Sequence, residues 1–180
     1  MDQNKTNNLK SRIIVLTTGG TIDKSYDEFD GSLQNRGSEI KKQLIARLRL
    51  PYTELEVMSL MAKDSLRMND YDRSLLTQSI KAQMEKGYPI VVIHGTDTMA
   101  KSASYAYEQI EKPKVPIVFT GAMKPLGFID SDAQQNLTEA LLASKLLQPG
   151  FYISFHNRIF VVPNVRKNPL TRTFECTLPS

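Results

Sequence analysis

Three short apolar runs constrain this chain more than any other feature. Ile13–Leu16, Ile90–Ile93 and Ile117–Phe119 consist of aliphatic, mostly β-branched or aromatic side chains. Such runs are too short for helices, and without polar alternation they fit strands buried on both faces. Between them lie stretches of helical spacing: Leu76, Ile80 and Met84; Ala103, Tyr107 and Ile110; Leu137, Ala140 and Leu141. Strands alternating with helices give a sheet covered on both sides. The expected fold is α/β, a three-layer Rossmann-like or flavodoxin-like, mostly parallel sheet in a single domain, with right-handed connections.

Each run passes directly into threonine and glycine: Gly19-Gly20-Thr21, Gly95-Thr96 and Thr120-Gly121. A parallel sheet brings these three ends to one edge, where ligands collect in open α/β folds. Hydroxyls supply nucleophiles and glycine-flanked amides supply oxyanion donors. Asp97 adds a carboxylate. A threonine hydroxyl is too weakly acidic to attack unaided, so a base is needed; the candidates are Lys167, if partly desolvated, and Tyr26. The plainer alternatives are a glycine turn with threonine caps and, for Lys167, a surface charge.

The rest of the chain supplies connections. Met1–Ser11 reads as a flexible lead-in, and residues 12–180 as the domain. Asp23–Asn35 reads as a loop carrying Tyr26 and Phe29, either a lid beside the first strand end or a connector. Ser38 is expected to cap a helix through about Leu48, with Ile40, Leu44 and Ile45 on its apolar face, and Leu55–Met61 to form a strand. Asn69 or Asp70 caps the helix that Gly87 ends, and Asp130 or Ser131 the helix Asp132–Leu147. Phe151–Phe155 and Ile159–Val162 suggest a hairpin around His156-Asn157. The segment after Pro163 has no clear periodicity.

With 180 residues and a net charge of +4, the chain has room for one core and mixes both signs of charge. Basic residues thicken near the ends, but no nucleic-acid module signature is present. Cys176 is the single cysteine, which excludes an internal disulfide and fits a reducing compartment. No apolar run approaches membrane-spanning length and the N-terminus lacks a secretion core, so a cytoplasmic protein without membrane partners is expected. The two histidines, His94 and His156, make a histidine-based triad unexpected. Clustered metal ligands, a P-loop and the dinucleotide fingerprint are all missing from the sequence, so no metal or cofactor is expected.

Thr18-Gly19-Gly20-Thr21-Ile22 and His94-Gly95-Thr96-Asp97-Thr98-Met99 resemble the two signatures of the bacterial-type L-asparaginase family. Thr120-Gly121-Ala122-Met123-Lys124-Pro125 resembles a third block, and Asp132 with Asn136-Leu137 a fourth, in the family's order from about Arg12 to Phe174. The resemblance implies hydrolysis of asparagine, often glutamine too, without a cofactor. It implies Thr21 as nucleophile, and Thr96, Asp97 and Lys167 as a second catalytic set in which Lys and Thr pass a proton while Asp orients the group and grips the substrate's amino end. Tyr26 corresponds to the mobile-loop tyrosine, and Ser65 to the substrate-binding serine. Gly20, Gly95 and Ala122 would line the pocket with backbone.

Two departures stand out. Leu66 and Arg67 follow Ser65 where the family often has a polar residue and Asp, so recognition of the substrate's head group is altered. The family also carries a second, smaller domain that contributes an acidic residue, often to a neighbouring subunit's site, whereas this sequence stops at Ser180. The resemblance therefore covers the N-terminal domain only. A homodimer or higher homo-oligomer is expected. The alternative to an amidohydrolase is a catalytically weak or inactive binding module for an acidic or amide amino acid.

Overall fold

The structure, a computed structural model, describes residues 10–20 and 45–177 in full and the backbone alone of Lys24–Tyr26 and Leu33–Asn35. Thr21, Phe29, Ser38, Ile40, Leu44 and the lead-in through Leu9 lie outside the described residues. The strands are β1 (Ser11–Thr17), β2 (Lys24–Tyr26), β3 (Leu33–Asn35), β4 (Thr53–Ser59), β5 (Ile90–Ile93), β6 (Pro116–Thr120), β7 (Gly150–Phe155), β8 (Arg158–Val161), β9 (Val165–Asn168) and β10 (Thr173–Cys176). The helices are α1 (Asp70–Met84), α2 (Met99–Gln109) and α3 (Ala133–Leu146).

Six strands form one sheet in the order β4-β1-β5-β6-β7-β8, parallel except for the antiparallel edge strand β8. Apart from that edge strand, this is the flavodoxin-like order. The continuous apolar runs are explained by two separate cores. Ile14, Leu16, Ile90, Val92, Ile117 and Phe119 pack with α1 and α2 on one face. Ile13, Val15, Val91, Ile93 and Val118 pack with α3 on the other. Adjacent strand residues point to opposite faces, so both halves of each run are buried and no polar position is left.

Among the described crossovers, one departs from the expected right hand. The chain crosses from β4 to β5 and from β5 to β6 over one face, by α1 and α2. From β6 to β7 it moves in the same direction across the sheet but over the opposite face, by α3. The last crossover therefore has the opposite hand from the other two, and is left-handed where the general preference makes those right-handed.

Local chemistry sets the element ends. Asn69, rather than Asp70, caps α1: its Oδ1 accepts from Asp72 N at 3.1 Å while Asp72 Oδ2 accepts from Asn69 N at 2.9 Å. At α3 the Ser131 hydroxyl accepts from Ala133 N, and Asp132, at the N-cap position, turns its carboxylate elsewhere. His156 and Asn157 both adopt positive φ, the two-residue hairpin turn expected between β7 and β8. The second-strand expectation shifts by two residues to Thr53–Ser59. Tyr107, expected on the buried face of α2, is 45% exposed and only edges against Phe151; Ala106 takes the interior position.

Two stretches read as irregular contain strands. Within Asp23–Asn35, β2 pairs antiparallel with β3. Beyond Pro163, β9 pairs with β10 in a hairpin separate from the main sheet. Val165 and Phe174 of this hairpin join the core under α2, whereas Arg166 and Glu175 on its other face pair with each other at 2.8 Å. The alternation is too short, and too interrupted by charge, to be read without the core it leans on.

Candidate active site

The register places Thr17, Ile93 and Thr120 level with one another at the carboxyl ends of β1, β5 and β6. Between β1 and β5 the strand order reverses, and such a switch point opens a crevice at the carboxyl edge. Gly20 and Gly95 meet there. A methyl group on Gly20 would stand 2.5 Å from Gly95 Cα, and Gly20 itself sits at φ +101°, which side-chain-bearing residues rarely adopt. A methyl on Gly95 would stand 2.6 Å from Ser65 Oγ. The two turns and Ser65 thus touch across the crevice, because two of them have no Cβ. Ser65 is buried, and Thr98 donates to its carbonyl at 2.8 Å, tying the Ser65–Arg67 turn to the segment after β5.

Lys167 reaches this cluster from the hairpin. Directly opposed residues of an antiparallel pair share a face, and Lys167 is opposite Phe174. Phe174 is buried against Phe155 and Phe160, so the face that carries it also aims Lys167 at the domain. Lys167 Nζ donates to Thr96 Oγ1 at 2.8 Å and to Asp97 Oδ1 at 2.7 Å. Thr96 is almost fully buried, while the Asp97 and Lys167 side chains are partly open to solvent. Because Thr96 Oγ1 accepts from the lysine, its own proton points out of the pair. The arrangement provides a hydroxyl polarised by a cation, with a carboxylate to hold that cation in place.

The hydroxyls of Thr120 and Thr18 are structural. Thr120, expected to offer a hydroxyl at the edge, instead donates inward to Asn136 O and Ser154 O and is wholly buried. Thr18 donates to Ile93 O. Ala122 buries its methyl in the core beneath the strand end, which leaves its backbone to line a pocket. Tyr26 ends β2, and its side chain lies outside the described residues, as does all of Thr21.

His94 is packed under the site rather than in it. Its Nδ1 lies 2.8 Å from Gly95 O and must donate there, since a carbonyl only accepts; Nε2 is then an acceptor, buried without a partner among the described residues. Burial, helped by the Arg73 charge, outweighs the bond to Gly95 and lowers its pKa to about 4.

A second polar cluster was not legible in the sequence. Asp132 accepts from Met123 N and Lys124 N, both at 3.0 Å, from Asn136 Nδ2 at 2.9 Å, and from His156 Nε2 at 2.9 Å. His156 Nδ1 lies 3.1 Å from Thr173 Oγ1. Burial would raise the Asp132 pKa, but the backbone N–H groups and His156 outweigh it and hold the carboxyl below its ordinary value. These bonds join His156 to residues 17 and 24 positions away in the chain. In the sequence Asp132 stands out only within the fourth block; the Asp132-Asn136 spacing, one helical turn, is the signal available there. Among the described residues, no group of three His, Cys, Asp or Glu could hold a metal ion.

Comparison with known proteins places the chain in a family. The family model described as asparaginase, N-terminal, matches residues 12–175. An L-asparaginase of Thermococcus kodakarensis is 30% identical over 156 residues, covering 87% of this chain and 47% of that protein. The human 60 kDa lysophospholipase is 38% identical over 113 residues, 62% of this chain and 19% of that protein. The solved thermostable L-asparaginase of T. kodakarensis superposes with a TM-score of 0.82 at 29% identity, covering 92% of this chain and 51% of that one. The chain spans about half the length of the asparaginases it matches, or less. By the family model, which takes in nearly all of its length, this chain belongs to the asparaginase family and corresponds to the N-terminal domain.

Proposed function

We propose that the chain hydrolyses the side-chain amide of L-asparagine, with L-glutamine as a second substrate, to the acid and ammonia. The observation that carries this reading is the hydrogen-bonded set Lys167–Thr96–Asp97 beside the joined glycine turns. Thr21 is the nucleophile in this reading, supported by its covalent link to Gly20, which contacts Gly95. Its oxygen attacks the amide carbon, and its proton passes to the departing nitrogen, which leaves as ammonia. Water then attacks the acyl-enzyme, and a proton returns to the Thr21 oxygen. Thr96 and Lys167 relay protons, Asp97 holds Lys167 and the substrate's amino group, and Tyr26, at the end of β2, covers the site. Backbone at Gly20, Gly95 and Ala122 lines the pocket, and Ser65 contacts the substrate.

Ammonia release from L-asparagine, followed in the wild type and in Thr21→Ala and Lys167→Met, tests the proposal. Release that both variants lose supports it; a wild type that releases none overturns it. In that event a rise in melting temperature with L-aspartate identifies an amino-acid binding module. The similarity to a protein named lysophospholipase favours one further reading, the same apparatus acting on a small ester.

Self-association as a homodimer or larger homo-oligomer is also proposed. Leu142, Leu146, Ile159 and Val161, exposed on α3 and the edge strand β8, offer apolar surface for it, and sedimentation velocity checks it. A cytoplasmic location is proposed from the free thiol of Cys176, which suits a reducing compartment. Among the described residues no helix is long and apolar enough to cross a membrane.

A further inference from the structure

The hairpin that delivers Lys167 is a two-stranded sheet of its own. Such a unit is marginal unless other parts of the fold hold it. Its apolar side is held by Val165 and Phe174. Arg158 Nη2 also reaches Cys176 Sγ, at 3.6 Å. A rotation of the hairpin about the buried pair would carry Lys167 Nζ away from Thr96. On the opposite face from Lys167 stands Thr173, which pairs with Asn168, and the Thr173 hydroxyl meets His156 Nδ1 at 3.1 Å.

We propose that His156 is a positioning residue: by bridging Thr173 on the hairpin to Asp132 on the main domain, it fixes where Lys167 meets Thr96 and Asp97. The proposal rests on Lys167 acting as the proposed function has it. Asp132 is a fixed anchor, because its two oxygens also take the backbone N–H groups of Met123 and Lys124, next to Ala122. The carboxylate only accepts, so His156 Nε2 carries a proton and donates to it. Neutral His156 then accepts from the Thr173 hydroxyl at Nδ1, and doubly protonated His156 donates to it. Either role at Nδ1 keeps the bond to Thr173, so His156 acts as a brace.

Backbone conformation points the same way. His156 is held at φ +48° in the β7–β8 turn, where Gly or Asn is the low-strain choice. Its backbone N–H donates to Asn136 Oδ1 at 3.0 Å, and its ring packs 4.4 Å from that of Phe155. An asparagine at this position keeps the turn but is too short to span Asp132 and Thr173.

The test uses the 180-residue chain and the variants His156→Asn, Thr173→Val and Thr173→Ser. In ammonia release from L-asparagine, His156→Asn and Thr173→Val are expected to lower kcat ten- to a hundredfold with KM within about twofold, the range for a catalytic group displaced by about 1 Å. Thr173→Ser, which keeps the hydroxyl, restores kcat. The Lys167 side-chain NH resonance, assigned by its loss in Lys167→Met, is expected to move toward that of exposed lysines in His156→Asn and Thr173→Val, and to stay in place in Thr173→Ser. An unmoved resonance, an intact kcat, or a serine variant as impaired as valine overturns the brace. If the wild type releases no ammonia, the resonance decides alone: its movement upholds the brace while the amidohydrolase reading falls. Thr173→Val leaves the strained turn untouched and carries the test should His156→Asn fail to fold.

Discussion

Lowering the pH should destabilise this domain through one buried ring. His94 is only 1% exposed, and its pKa falls from 6.5 to about 4 on folding. Above pH 6.5 both the folded and unfolded ring are neutral, and folding incurs no protonation cost. Between the two values the unfolded chain binds a proton that the folded chain refuses, so stability falls as pH falls. Linkage gives a loss of about 2 kcal/mol at pH 5, approaching about 3 kcal/mol near pH 4. A loss of that size is a large fraction of an ordinary domain's stability of about 5–15 kcal/mol. Urea unfolding of wild type and His94→Leu at pH 7.5, 6 and 5 isolates the effect. The variant loses the bond to Gly95 at every pH, but it has no ring to protonate. The stability difference between the two proteins should therefore move by about 2 kcal/mol in the variant's favour between pH 7.5 and 5. A difference that stays flat over that range would refute the buried, neutral assignment, and with it the tautomer that donates to Gly95.

Three further outcomes follow from the same geometry. Gly95→Ala drives a methyl to 2.6 Å from the buried Ser65 Oγ, and is expected to cost about 1–3 kcal/mol in chemical unfolding and to raise KM for L-asparagine. Phe174→Ala removes a side chain that is 3% exposed and stands opposite Lys167; a loss of about 3 kcal/mol in thermal unfolding is expected, with kcat falling as the hairpin loosens. Asp132→Asn removes a carboxylate held below its ordinary pKa of 3.8. It should cost about 2 kcal/mol at pH 7, where that contribution is complete, and progressively less as the pH falls below about 4, measured by urea unfolding at pH 7 and pH 3.

The sheet explains why a hydroxyl and a lysine 71 positions apart can serve one substrate. β5 delivers Thr96 and Asp97 rigidly from the centre of the fold, buried between two cores. Lys167 arrives on a small appendage held by the buried Val165 and Phe174 and, as proposed above, by the His156 bridge. In the proposed reaction, the proton relay would therefore be more sensitive to mutation of the hairpin than of the main sheet, because the hairpin has fewer contacts to absorb a shift.

What the sequence by itself determined was local. Runs such as Ile90–Ile93 announce strands because both faces are buried, and helical spacing announces α1 and α3. The His156-Asn157 turn between two apolar stretches is readable because its backbone demands belong to two residues. The order of the glycine and threonine blocks carried the family resemblance, since those positions are fixed by close backbone approach, as at Gly20 and Gly95. The tertiary structure decided the rest. The left-handed β6–α3–β7 crossover depends on which core receives Leu137 and Ala140, and no local pattern encodes that choice. Thr120 looks like a site hydroxyl in the sequence, yet it turns inward because carbonyls of Asn136 and Ser154 await it. The β9–β10 hairpin was unreadable for a related reason: its inward face carries Val165, Lys167 and Phe174, and a lysine breaks the apolar alternation. Only with Thr96 and Asp97 beside it, supplied by a strand far back in the chain, does a charge on that face become stable.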